Sequence, residues 1–163
     1  MNILNNKEII DLGNLLKIII TDLRNFESKF STKIECIHNF YTNHYIIEQN
    51  LPYLAKTMLK ADTGEFCLDD GIWRTEFMSG LYPYIISDHM FFLKCSKPIS
   101  KYDEFILTSL SQAKKGIEMT FAKLNNPKFI EKAPTDIIEL EKKKLDDFGF
   151  KWELWTKAYF LYE

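Results

Sequence analysis

The stretch Lys123-Leu-Asn-Asn-Pro-Lys-Phe-Ile-Glu-Lys-Ala-Pro-Thr-Asp-Ile-Ile-Glu-Leu-Glu-Lys-Lys-Lys-Leu145 decides how the second half of this 163-residue chain folds. It reads as the bend of a helical hairpin. A helix ends at Leu124, Asn125-Asn126-Pro127 break it, and Ala133-Pro134 start the return helix. Asn tolerates left-handed backbone at a helix C-terminus, whereas Pro cannot continue a helix but suits a first turn. Phe129 and Ile130 are expected to tuck between the two limbs as a plug.

Working outward, Ser100-Lys-Tyr-Asp103 is a capping-box-like start for an outgoing limb over Lys101 to Leu124. Its inner face would carry Ile106, Leu110, Ala113, Ile117, Phe121 and Leu124. On the return limb Ile138, Glu141, Leu145, Phe148, Trp152, Trp155, Tyr159 and Tyr162 step by three and four. One helix from Pro134 nearly to the C-terminus is therefore expected despite Gly149. Each aromatic side chain of that stripe can bury about 150–250 Å², and the stripe is expected to pack on the N-terminal helix rather than serve as a partner surface.

That first helix is the clearest periodic element. Ile9, Leu12, Leu16, Ile19, Leu23, Phe26 and Phe30 form a sustained apolar stripe, and Ile10, Ile18 and Ile20 broaden it. Lys33–Glu48 fits a helix through Ile34, Ile37, Tyr41 and His44 or Tyr45, while its β-branched and aromatic content also suits a strand; a helix is expected. Asn50-Leu51-Pro52 resembles a cap and first turn for a short helix through about Lys60, stopped by Thr63-Gly64. Phe66-Cys67-Leu68, Asp69-Asp70-Gly71 and Ile72-Trp73-Arg74 read as apolar, turn, apolar, a short-range hairpin signal. The runs Tyr84–Ser87 and Met90–Lys94 extend this β or irregular region. The expected class is α+β, helix-dominated: residues 1–60 helical with a long N-terminal helix, 61–99 a small central β-hairpin region, and 100–163 a C-terminal antiparallel helical hairpin.

With 46% hydrophobic residues the chain can bury a substantial core, and its length suits one compact domain. Lys+Arg 21 against Asp+Glu 23 gives a net charge of -2, which argues against general nucleic-acid affinity and leaves room for a local basic patch. Cys36, Cys67 and Cys95 are odd in number and far apart, offering neither a disulfide framework nor a zinc-finger spacing. Leu15–Ile20 is interrupted by Lys17, and no signal-peptide pattern opens the chain. A cytoplasmic protein is expected.

No catalytic, metal or cofactor site is expected. His38 and His44 are six residues apart and cannot share a helical face as ligands four apart would. Asp88-His89 reads as an ordinary surface pair, and there is neither a nucleophile elbow nor a glycine-rich phosphate loop. The expected function is a small non-enzymatic binding protein, an inhibitor or immunity-type partner of a larger protein with a basic face. Its surface would use the aromatics Trp73, Tyr82, Tyr84 and Phe92, rimmed by Asp69, Asp70, Glu76 and Asp88.

The alternative comes from the segment first quoted. Lys-Leu-Asn-Asn at 123–126, Phe129, Lys132-Ala133-Pro134, Ile137-Ile138, Glu141 and Lys144-Leu145 resemble the tip of the C-terminal coiled-coil arm of valyl-tRNA synthetase. Neither a His-x-Gly-His nor a Lys-Met-Ser-Lys-Ser signature accompanies it, so the resemblance does not extend to aminoacylation. In that family the arm touches tRNA. The resemblance thus implies an RNA-binding accessory protein in which Lys123, Lys128, Lys132 and Lys144 contact RNA.

Overall fold

A computed structural model describes residues 6–41, 45–65 and 80–162. The fold is α+β and helix-dominated, with two compact units: one reaches Ser100 and takes in Tyr162, the other covers Lys101–Leu161.

In the first unit, helix α1 (Asn6–Phe30) follows the apolar stripe, burying Ile19, Ile20, Leu23 and Phe26. Ile10 and Ile18 face solvent, so the stripe is narrower than their apolarity suggests. Strand β1 (Ile34–Tyr41) stands where a helix was expected over Lys33–Glu48. It pairs in parallel with β2 (Asp62–Glu65) and antiparallel with β4 (His89–Cys95), so backbone hydrogen bonds to distant segments decide its conformation over the local spacing. Strand β3 (Leu81–Ile86) completes the sheet, in the order β2-β1-β4-β3.

Helix α2 (Tyr45–Leu54) begins before the expected Asn50 cap and holds Pro52 in its interior. It runs directly into a π turn, Ala55–Leu59, closed by Lys60 in left-handed backbone at φ 57°. Thr63-Gly64 belong to β2. The expected Asp69-Asp70-Gly71 hairpin lies outside the described residues. The hairpin that is described joins β3 to β4 through Ser87-Asp88, with Ile86 opposite His89. Ser87 takes φ 56°, the positive value such a two-residue turn needs at its first position.

Five consecutive residues of β4, His89 to Leu93, are buried, so the strand is covered on both faces. Phe26 of α1 meets Tyr84 of β3 at 4.9 Å between ring centroids, which sets α1 against the sheet. Glu27 is buried near the end of α1 and caps the start of β1: Ile34 donates its N–H to one carboxylate oxygen (3.0 Å) and Lys33 Nζ lies 3.2 Å from the other.

The second unit is the hairpin. Helix α3 (Tyr102–Leu124) starts after Lys101, whose φ of 58° and lack of a side-chain cap replace the expected Ser100 capping box. Asp103 and Glu104 occupy its first turn, where acidic groups favour the positive end of the helix dipole. Helix α5 (Thr135–Tyr162) runs unbroken through Gly149, as its periodicity predicts.

Three contacts fix the limbs antiparallel. Phe105 meets Trp155 edge-on at 5.6 Å, Gly116 faces the ring of Phe148, and Lys123 pairs with Glu141. Along α3 the inward row runs Ile106, Ala113, Thr120, with Leu110, Ile117 and Leu124 half-buried. Phe121, expected in that row, is 57% exposed, because Thr120 takes the inward place. On α5, Trp155 is buried, Phe148, Tyr159 and Tyr162 are half-buried, and Trp152 is exposed.

Candidate nucleic-acid interface

The hairpin tip is built from its caps. Leu124 ends α3, and Asn125 donates its N–H back to Phe121 O at 3.0 Å. Asn125 keeps φ -90°, so the left-handed C-cap expected of it is not used. Asn126 instead caps a short helix, α4 (Pro127–Lys132), its side-chain oxygen accepting from Lys128 N at 3.1 Å, with Pro127 in the first turn. Ala133 then donates to Phe129 O at 2.8 Å, and Pro134 O accepts from Ile137 N and Ile138 N, opening α5.

The tip is thus a helical turn rather than a bare bend, and this changes its plug. Phe129 is half-buried and Ile130 exposed, so the ring covers the junction without being enclosed by it. Truncating it should cost less than the roughly 3–5 kcal/mol of a fully buried Phe→Ala change.

The four lysines singled out by sequence divide into two pairs. Lys123 from α3 and Lys144 from α5 converge on the same oxygen of Glu141, each with Nζ at 2.9 Å. The Glu141 side chain is only 8% exposed, whereas the two lysines are about half so. Lys123 Nζ also sits 4.8 Å from the centroid of the Phe129 ring, a cation–π distance that ties the ion triad to α4. Hydrogen bonds from Lys144 first and Lys123 second hold the Glu141 carboxyl below the usual carboxylate range. Two ammonium groups sharing one carboxylate leave the cluster net positive. Lys128 and Lys132 are exposed, make no ion pair among the described residues, and stand four residues apart, which places them on one side of α4.

Glu141 was missed as a site residue by reading the sequence. The available signal was an acid at an apolar-stripe position with a lysine three residues on. Gly116 was missed likewise: a side-chain carbon there would lie 2.5–2.7 Å from the Phe148 ring, so only glycine admits this approach.

The surface expected for a protein partner is not assembled in the described residues. Phe92 is 1% exposed and lies within β4, so it belongs to the core. Tyr82 is buried too, and its hydroxyl accepts the Ile99 N–H at 2.7 Å. Tyr84 is half-buried, and burial first, with the negative charge of Asp22 second, pushes its phenol up to about 12. Asp88 is exposed on the hairpin turn, but His89 beside it is buried, with Nε2 3.1 Å from the Asp88 carboxylate; this is not the surface pair expected. Asp69, Asp70, Trp73 and Glu76 lie outside the described residues.

Cys36 and Cys95 are free, and desolvation raises both thiols, Cys95 to about 11. No helix among the described residues is long and apolar enough to cross a membrane.

Residues 107–158 match the family model described as the valyl tRNA synthetase tRNA binding arm. No curated protein matches the chain. The match covers about a third of the chain. It includes nearly all of α3, the whole of α4 and most of α5, so the resemblance seen at the tip extends along both limbs of the hairpin, and in this segment the chain is similar to that arm.

Proposed function

We propose that this protein binds RNA through the helical hairpin, with the tip as the contact surface. The observation that carries the reading is the likeness of residues 107–158 to a tRNA binding arm, on a hairpin that carries Lys123, Lys128, Lys132 and Lys144 at and beside its tip. Each has a distinct part. Lys128 and Lys132, exposed together on α4, contact phosphates. Lys123 and Lys144 bring the Glu141 cluster's surplus positive charge to the same end of the hairpin, and Glu141 sets their positions.

The charge distribution agrees with a local rather than a general affinity. Within 107–158, ten lysines face eight acidic residues, so the limbs are nearly balanced and the tip holds the usable excess. The reading as an inhibitor of a larger protein has less support, since two of its four aromatic anchors are spent in the core.

Fluorescence anisotropy with labelled tRNA tests the proposal. Replacing Lys128 and Lys132 together by Ala should make the plot of log K against log salt shallower by roughly 1.4–1.8, about 0.7–0.9 per phosphate contact. Between 50 and 200 mM salt this amounts to about a tenfold smaller loss of affinity. A slope unchanged by the pair, or no tRNA binding by the intact protein, refutes the reading.

A further inference from the structure

The first unit contains a cleft of about 960 Å³ between the end of α1, the π turn, the start of β1 and the segment after β4. Its volume is within the range of natural ligand sites. We infer that this cleft is a second RNA contact, taking phosphodiester groups of the bound strand; the inference rests on the RNA-binding reading of the hairpin.

Charge carries the argument. Four cations line the cleft, Arg24, Lys33, Lys60 and Lys97, against two carboxylates, Glu27 and Glu35. Glu27 is already committed, to the Ile34 N–H on one oxygen and Lys33 Nζ on the other, so that pair cancels. What remains is Arg24, Lys60 and Lys97 against Glu35 alone, a net positive lining.

The cations are also positioned. Arg24 Nη2 donates to Met58 O on the π turn at 3.3 Å, which holds the guanidinium across the cleft with its other N–H donors still available. A planar fork of donors is the arrangement best suited to phosphate oxygens. Lys60 lines the cleft where the chain, in left-handed backbone, passes from the π turn toward β2. The exposed hydroxyls of Ser28 and Ser31 add neutral donors on the α1 side.

One feature opposes an anion. The C-terminal end of α1 points its carbonyls this way, and a helix C-terminus carries partial negative charge. That opposition is reduced because Thr32 N and Ser31 N satisfy Glu27 O and Ser28 O, at 3.1 and 3.4 Å.

The test uses the full chain and labelled tRNA. Lys60→Asn with Lys97→Gln removes two charges, and Asn tolerates the left-handed backbone at position 60. The salt slope should become shallower by roughly 1.4–1.8, and by about twice that when combined with the Lys128→Ala/Lys132→Ala pair. A slope that moves with the hairpin pair but not with the cleft pair overturns the cleft and leaves the hairpin reading standing. Movement with the cleft pair alone removes the hairpin from RNA contact and overturns the cleft as a second contact beside it. Movement with neither, or no binding by the intact protein, overturns both. Unchanged thermal melts for all variants confirm that the slopes report contacts rather than unfolding.

Discussion

Substituting Ala at the two glycines of the hairpin should change stability in opposite directions, although both sit inside long helices. Gly in a helix interior costs roughly 0.5–1 kcal/mol relative to Ala. At Gly149 no described atom beyond its chain neighbours and the local helix backbone lies within 4 Å of the added carbon, so Gly149→Ala should be stabilising by about that amount. At Gly116 the added carbon meets Phe148 Cδ1, Cε1 and Cγ at 2.5, 2.6 and 2.7 Å. Rotating the ring about its own axis leaves Cγ in place. Relief therefore requires a new χ1 for Phe148, or α3 and α5 to part by about 1 Å, an overpacking cost of roughly 1–3 kcal/mol. Set against the propensity gain, Gly116→Ala should be destabilising by up to about 2.5 kcal/mol. Thermal or urea denaturation resolves this, since each kcal/mol shifts the midpoint by roughly 2–4 °C at this size. A double-mutant cycle with Phe148→Leu should show favourable coupling, the smaller side chain accepting the new methyl. If Gly116→Ala were as stabilising as Gly149→Ala, the close approach of the limbs at Phe148 would be wrong.

The Glu141 carboxyl is lowered by its lysines, so it contributes stability that is present above its ordinary unfolded value, near 4.3, and is lost as pH falls through the lower folded value. Urea melts across that acid range should show the loss, and Glu141→Gln should flatten it. Tyr82→Phe removes the acceptor of the buried Ile99 N–H and should cost about 1–3 kcal/mol, measured by denaturation; no loss would mean that the amide finds another partner.

Local patterns showed what local forces decide. The α1 stripe, the stop at Leu124 and the continuation of α5 through Gly149 are set by side-chain period and backbone propensity within a few turns, and all three could be read. Strand β1 could not. Its partners in β4 lie about fifty to sixty residues away, and the spacing of Ile34, Ile37 and Tyr41 is compatible with a helix until that pairing is known. Other misses left a trace. The apolar run from Met90 to Leu93 is the pattern of a strand covered on both faces, which already argued against Phe92 as an exposed anchor. Asn126-Pro127 is a helix N-cap followed by a first-turn proline, a local signal for the short α4 within the expected bend. The partner of the Tyr82 hydroxyl and the face-to-face meeting of Gly116 and Phe148 depend on tertiary placement and had no local signal.

The same distinction explains why the four lysines of the tip are not equivalent. Sequence similarity treats them as one set, whereas the structure gives two of them a shared carboxylate. An exposed ion pair contributes little to stability, commonly below about 1 kcal/mol. Glu141 differs because it sits on the inner side of α5, nearly covered, and reaches a lysine on each limb. Its first consequence is positional: if the limbs slid by one turn, about 5.4 Å, Lys123 would leave the oxygen it shares with Lys144. The contact of Phe148 on Gly116 restricts the same slide two turns further from the tip. With the register held at both points, α4 is carried at a defined place on the end of the hairpin, and Lys128 and Lys132 on it need make no internal contact of their own. In the RNA-binding reading proposed above, it is their charge that meets the phosphates.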